Sequence, residues 1–218
     1  MKFFKELNEL IFPARCLACG VLGESICVDC RRRWRYQIYT SSILVNKGTN
    51  LPIISSVSYS EVAQRILLAA KESHLEKADW LISEALEHSL RNLLLHHRCD
   101  YLVPIPSQSS AARRRGRQFI SSVAKRPAEN LLLPIKSTLK FNRKVKDQSG
   151  LTSKERWNNL KGAFVVVSKE TMNGKAVLVD DLLTTGATLH EAAHTLHCAG
   201  IEVVGAVTAA VALTTKIH

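Results

Sequence analysis

The sequence contains no run of apolar residues long enough for a membrane-spanning helix, which needs about eighteen. Its first residues alternate charged with apolar side chains, so they lack the apolar stretch and the small-residue cleavage site of a secretory signal. Internal repeats and low-complexity tracts are also missing. Because 46% of the residues are hydrophobic, the chain is too apolar to remain disordered. We therefore expect a folded, cytoplasmic protein.

Acidic residues are scarce in two segments, and these segments account for the net charge of +11. Residues 111–126 contain no acid and six basic residues, which are Arg113, Arg114, Arg115, Arg117, Lys125 and Arg126. Residues 136–161 contain eight basic residues against Asp147 and Glu155. Concentrated positive charge attracts the phosphates of a small molecule or a nucleic acid. The alternative is a basic face that meets only solvent.

Apolar periodicity predicts strands that alternate with helices. Helices are predicted at about 1–12, 60–73, 76–96, 111–133 and 188–199, with Ser153 capping a further short helix. Strands are predicted at 101–105, 135–141, 163–167, 176–179 and 203–211. The alternation favours an α/β fold with a mainly parallel sheet covered by helices on both faces. We divide the chain into an N-terminal helix with a cysteine module (1–40), a linker (41–56) and the α/β domain (57–218).

Residues 177–189 join two acids to a loop of small and hydroxylated residues. Asp180 and Asp181 follow a buried strand, at the edge where open α/β sheets bind ligands. The loop that follows opens a helix and consists of Thr184, Thr185, Gly186, Ala187 and Thr188. Small side chains let backbone N–H groups approach a phosphate, and the helix N-terminus favours the anion. A Walker loop is excluded because Gly-Lys-Ser/Thr is missing. The pattern predicts a sugar-phosphate site.

This thirteen-residue segment resembles the phosphoribosyl-pyrophosphate signature of type I phosphoribosyltransferases. The resemblance implies the type I phosphoribosyltransferase fold, with Asp180 and Asp181 at the ribose hydroxyls and residues 184–188 around the 5′-phosphate. It also implies displacement of pyrophosphate at the ribose C1 carbon, with Mg²⁺ bound to the pyrophosphate. No residue pattern identifies a base-recognition pocket, so the acceptor is not predicted.

Features along most of the chain resemble the competence-protein ComF family. They are the cysteine module, Tyr59, Lys71, Val103-Pro104-Ile105-Pro106, Arg115-Gly116, and the series Arg143, Gln148, Arg156, Asn159 and Gly162-Ala163-Phe164. The resemblance fails at Arg117-Gln118-Phe119, where many members carry Phe-Asn-Gln after Arg-Gly. It implies a role in DNA uptake or processing, and a competence helicase as partner.

The ComF resemblance also implies a pyrophosphate-binding loop near Pro106 and Ser107, and a basic hood over the site in residues 140–161. Negative charge on the leaving pyrophosphate requires Mg²⁺ or basic side chains. The predicted contacts are Arg115, Arg143, Arg156, Lys71 and, as a polar group, Gln148. The arginines fit a solvated face equally well, and Lys71 equally suits the C-terminal end of its helix.

Four of the six cysteines form two Cys-x2-Cys pairs separated by seven residues, which are Cys16, Cys19, Cys27 and Cys30. In a chain without a predicted secretory signal such clustering favours a metal site over disulfides. Four thiolates suit a closed tetrahedral Zn²⁺ site, so we predict a small zinc-ribbon-like module with structural zinc. A redox dithiol or disulfides are the alternatives.

Basic residues directly follow the cysteine module and raise a second hypothesis for function. Arg31, Arg32, Arg33 and Arg35 flank Trp34, a composition that suits phosphate contacts beside base stacking in single-stranded DNA. The alternative is a structural knob packed on the main domain. The chain is then either a phosphoribosyltransferase, or a non-catalytic nucleic-acid-binding protein with phosphoribosyl pyrophosphate as effector. We expect His190, His194 and His197 to flank solvent rather than bind metal, and Trp80, Cys99 and Cys198 to lie in the core.

Overall fold

The structure, a computed structural model, describes residues 14–46, 48–73, 75–146, 150–167 and 173–212. Its helices are α1 (Val28–Arg33), α2 (Glu61–Ser73), α3 (Glu76–Leu94), α4 (Ser109–Arg115), α5 (Phe119–Val123), α6 (Lys125–Asn130), α7 (Ser153–Leu160) and α8 (Ala187–Cys198). Its strands are β1 (Tyr39–Asn46), β2 (Thr49–Ser58), β3 (Tyr101–Pro104), β4 (Leu139–Phe141), β5 (Phe164–Val166), β6 (Lys175–Leu183) and β7 (Glu202–Val211). The helix predicted at 1–12 lies outside the described residues.

Five strands form the main sheet in the order β1-β2-β7-β6-β3. The strands β2, β7, β6 and β3 run parallel, and β1 pairs antiparallel with β2 at the edge. A parallel strand is buried on both faces, which explains the continuous apolar run at 176–179. The predicted α/β class with a mainly parallel sheet is confirmed. The parallel strands also bring the ends of β3 and β6 to the same edge of the sheet.

Helices cover both faces of this sheet. Val177 and Val179 join a core formed with α2 and α3, whereas Ala176 and Leu178 join a second core formed with α8. The division follows from the alternation of side chains along a strand. Among the described residues, no helix combines the length and apolarity required to cross a membrane.

Residues 41–56, predicted as a linker, form most of β1 and β2, so that prediction is wrong. Gly48 occupies the predicted turn with φ 93°, but it joins two strands of the main sheet. Apolar residues of this stretch are buried in the core, among them Ile43, Val45, Leu51 and Ile53, and two of its serines, Ser55 and Ser56, are buried as well. Only β1 lies at the edge of the sheet, whereas β2 lies between β1 and β7 and is mostly buried.

Three local predictions also need correction. The helix predicted over 111–133 is three short helices, and the first of them ends where Gly116 takes a left-handed conformation. Thr152 rather than Ser153 caps α7, because its hydroxyl accepts the Glu155 N–H in a capping box. Trp80 and Cys198, predicted as core residues, are exposed.

Candidate active site

Strand β6 continues through both predicted site acids and ends at Leu183. Asp181 is buried, and its carboxylate forms an ion pair with the Lys71 ammonium group on the last turn of α2. Burial opposes the charge on Lys71, but the Asp181 and Asp180 carboxylates outweigh it and raise the Lys71 pKa. Lys71 is therefore a cation at neutral pH, held at the acid pair.

Asp180 directly precedes Asp181 on β6, near the end of the strand. One of its carboxylate oxygens accepts the Asp181 N–H at 2.9 Å. Burial, followed by the charge of Asp181, raises the Asp180 pKa well above its usual range. Strongly perturbed carboxyl groups at the end of a sheet are typical of functional sites.

The loop 184–188, which we call the cradle, turns directly from β6 into α8. Gly186 has φ 76°, and a Cβ atom at this position would lie 2.7 Å from Cγ2 of Ile43 on β1. Only glycine fits both the conformation and the contact. The Thr185 hydroxyl accepts the Ala187 N–H at 3.4 Å, at the start of the twelve-residue α8. The first turn of a helix presents N–H groups that intrahelical bonds do not use, so the cradle suits an anion.

The predicted pyrophosphate loop lies beside the acid pair. Ile105, which follows β3, donates its N–H to the Val179 carbonyl at 2.9 Å. Pro106 and Ser107 therefore leave the sheet next to the point at which β6 carries Asp180. The Ser107 N–H donates to Oε1 of Gln118 at 2.8 Å. The structure thus brings both predicted loops and both acids to one edge of the sheet.

Arg115 is near the site but is bound to an acid. Its guanidinium donates to Glu72 Oε1 from Nη2 at 2.7 Å and from Nε at 3.2 Å, and Arg114 bonds to the same carboxylate. The hydrogen bond from Arg115 is the chief cause of a lowered Glu72 pKa. Glu72 directly follows Lys71, so this ion-pair cluster fixes α4 to the end of α2 beside Asp181.

The described part of the predicted hood, residues 140–161, contains the end of β4 and all of α7, and together with β5 it packs on the first turns of α8. Its small core combines Val145, Leu160 and Ala163 with Ala187 of the cradle. Glu191 of α8 accepts the Gly162 N–H at 2.8 Å. The rings of Trp157 and His190 also meet edge to face, with 4.7 Å between their centroids. The hood therefore rests against the helix that begins at the cradle.

Arg143 and Arg156 support the hood itself. The Arg143 guanidinium donates to the carbonyls of Asn159 and Lys161, at 3.0 Å and 2.7 Å. The Nε of Arg156 donates to the Leu151 carbonyl at 3.1 Å. The described contacts of both arginines thus stabilise the turns around α7 rather than reaching the cradle. Gln148 lies outside the described residues.

The cysteine module brings its four thiols together. The sulfur atoms of Cys16, Cys19, Cys27 and Cys30 all lie within 4.8 Å of one another. Burial opposes ionisation of Cys16, but backbone N–H groups that point at its sulfur outweigh burial and lower its pKa to about 6. Thiolate sulfur is the donor that structural Zn²⁺ sites use, so the cluster fits the predicted ion.

The module is packed against the main domain. Ile26, Cys30 and Trp34 belong to the same core as α2 and α3, and Arg65 of α2 donates to the Ala18 carbonyl at 2.7 Å. Trp34 is only 3% exposed, so its ring is not available to stack on bases, and the alternative of a structural knob packed on the main domain agrees with the structure. The neighbouring Arg31, Arg32, Arg33 and Arg35 are exposed.

Comparison with known proteins finds a family match over the part of the chain that carries the acid pair and the cradle. Residues 112–217 match the model of the family described as "Phosphoribosyl transferase domain". This part of the chain is similar to a phosphoribosyl transferase domain. The predicted ComF resemblance is confirmed as well, since the chain is 33% identical over 106 residues to "Competence protein F" of Haemophilus influenzae. That match covers 47% of this chain and 46% of the relative, so the chain spans about half the length of the curated relative it matches.

Solved phosphoribosyltransferases show low-level similarity over most of the chain. An adenine phosphoribosyltransferase gives a TM-score of 0.43 at 11% identity, covering 80% of this chain and 84% of its own. The orotate phosphoribosyltransferase of Aeropyrum pernix gives 0.38 at 16% identity, covering 82% and 77%. Because these scores are low, the α/β fold class rests on the observed sheet and its helices.

The structure adds three residues that the sequence interpretation missed. Glu72 binds Arg115, Gln118 binds the loop after β3, and Glu191 binds the hood. Each of these partners is at least eleven residues distant along the chain. A local sequence pattern carries no signal for such pairs.

Proposed function

We propose that the chain binds phosphoribosyl pyrophosphate with Mg²⁺ and transfers the phosphoribosyl group to an acceptor, releasing pyrophosphate in the cytoplasm. The observation that carries the proposal is the juxtaposition of the cradle with Asp180 and Asp181 in a part of the chain that is similar to a phosphoribosyl transferase domain. Such a site offers N–H donors for a phosphate and carboxylates for sugar hydroxyls at one sheet edge.

In this mechanism the cradle holds the 5′-phosphate, and the two carboxylates orient the ribose ring. The ion pair with Lys71 fixes the Asp181 side chain, which keeps it in position before the ligand arrives. The acceptor forms a bond to C1 as the bond from C1 to the pyrophosphate oxygen breaks, and pyrophosphate leaves with the electron pair. Positive charge develops on the ring during this step, and the negative charge of the acid pair stabilises it.

The acid pair also fits the implied magnesium ion. Asp180 and Asp181 supply carboxylate oxygens, the donors that Mg²⁺ prefers, and pyrophosphate supplies more. When bound, the ion neutralises charge on the leaving pyrophosphate. In the cysteine module, Cys16, Cys19, Cys27 and Cys30 would hold a structural Zn²⁺ that stabilises the fold.

A pyrophosphate-release assay tests the proposed transfer. Purified protein, phosphoribosyl pyrophosphate and Mg²⁺ are incubated with a panel of nucleobases, amines and single-stranded DNA. We expect release that depends on one acceptor class and is lost when Asp180→Asn and Asp181→Asn are combined. Glu129→Gln, at an exposed site on α6, is the matched control and should keep full activity. Release in no condition, or release unaffected by the double variant, would contradict the proposal.

A second candidate function is suggested by the exposed arginines 31, 32, 33 and 35. In this proposal the chain is a competence factor that binds single-stranded DNA, a helicase is its partner, and phosphoribosyl pyrophosphate is only an effector. DNA binding, measured by the fluorescence anisotropy of labelled single-stranded DNA, should then persist when Asp180→Asn and Asp181→Asn are combined. It should weaken steeply as the salt concentration rises. Replacing the four arginines with serine should abolish that binding.

A further inference from the structure

The stretch at which the family resemblance fails, Arg117-Gln118-Phe119, is anchored on both sides of its central residue. The Arg117 guanidinium binds the Asp79 carboxylate and donates to the Ala70 carbonyl at 2.6 Å. The Phe119 ring is 1% exposed and packs beneath that guanidinium, with 5.3 Å from the ring centroid to Cζ of Arg117. These anchors fix the backbone from which the exposed Gln118 side chain projects.

Gln118 is directed at the loop that follows β3. Its Oε1 accepts the Ser107 N–H at 2.8 Å, and only the oxygen end of the amide can make this bond. The loop lies beside the end of β6, where the acid pair is located. Backbone N–H groups in such a position are donors for an anionic ligand. An N–H that is fully engaged by Gln118 is not free for a pyrophosphate oxygen.

We infer that Gln118 is a positioning residue that occupies the pyrophosphate subsite in the ligand-free protein and is displaced when pyrophosphate binds. The inference rests on the proposed function. Displacement is favourable because hydrogen bonds to charged acceptors are stronger than those to a neutral amide. Since the side chain is exposed, it turns into solvent without losing buried contacts. Because the hydrogen bond between the Ser107 N–H and Gln118 must break first, it lowers the affinity of the loop for pyrophosphate.

Isothermal titration with magnesium pyrophosphate measures this competition. Gln118→Ala should bind pyrophosphate about fivefold more tightly, equivalent to the roughly 1 kcal/mol of a neutral hydrogen bond. Gln118→Glu should bind it more weakly, because the carboxylate keeps the Ser107 N–H and repels the anion. Ribose 5-phosphate lacks pyrophosphate, so its affinity should not change in either variant. Gln64→Ala, at an exposed glutamine of α2, is the matched control.

The Ser107 amide resonance gives a second readout that general destabilisation would not produce. In the wild type it should shift when pyrophosphate is added, and in Gln118→Ala it should already differ before addition. If Gln118→Ala binds pyrophosphate no more tightly than the wild type, while ribose 5-phosphate still binds, the inference is overturned and the proposed function stands. If the wild type binds neither ribose 5-phosphate nor phosphoribosyl pyrophosphate, both fall together.

Discussion

Replacing Lys71 with methionine tests how the acid pair is held. The Asp181 side chain is 10% exposed and that of Lys71 is 28% exposed, so the substitution leaves a nearly buried carboxylate without its cation. Breaking a buried ion pair from one side costs about 3–5 kcal/mol. Because the Lys71 side chain remains partly hydrated, we expect a loss of about 2–3 kcal/mol in the free energy of unfolding. Methionine keeps most of the apolar stem, so packing changes little.

Urea denaturation followed by circular dichroism at pH 7.5 measures this loss. Combining Lys71→Met with Asp181→Asn removes both charges and should recover about 2 kcal/mol relative to the sum of the single variants. Lys77→Met, at an exposed lysine of α3, should change stability by less than about 0.5 kcal/mol. Strictly additive single and double variants would refute the reasoning, because they would mean that the two side chains do not interact.

Three further predictions follow from the same geometry. Asp180→Asn should raise the free energy of unfolding at neutral pH, because the folded state raises the pKa of Asp180. In urea titrations this gain should shrink as the pH falls towards 4, since the acid is then protonated in the unfolded state too. Gly186→Ala should lower the free energy of unfolding by about 2–4 kcal/mol, because φ is positive and the new Cβ would meet Ile43. Gly200 has a similar φ but open space around it, so Gly200→Ala should lower it by only about 1–2 kcal/mol. Thermal melts compare the two variants. Elemental analysis should find about one zinc per chain, lost in Cys27→Ala and kept in Cys198→Ala.

The parts of the site that were predictable from sequence are those encoded within one short segment. Strand β6, the acid pair and the cradle are contiguous in the sequence. The apolar run, the two acids and the small residues therefore predict the site together, without knowledge of the fold. The cysteine pairs are equally local, and the structure brings their sulfur atoms together. Local physics is sufficient in both cases.

Other features depend on contacts between distant segments. The partner of Asp181 is on α2, and nothing near Lys71 in sequence indicates it. Arg143 and Arg156 were predicted to contact phosphate because they are basic. In the structure they donate to backbone carbonyls of the hood itself. Residues 41–56 suggested a linker because they are rich in Ser, Gly, Asn and Pro. In the fold, β2 pairs with β7, and apolar residues of β1 and β2 join the core beside α8. Tertiary pairing decided each of these outcomes.

The central claim is that the cradle and its two aspartates bind a phosphorylated pentose. Calorimetric titration of phosphoribosyl pyrophosphate in millimolar Mg²⁺ tests it most directly. We expect saturable binding of one ligand per chain, lost in Asp180→Asn combined with Asp181→Asn and retained in Glu129→Gln. An absence of heat for the wild type at millimolar ligand, in protein whose thermal melt shows it folded, would contradict the claim.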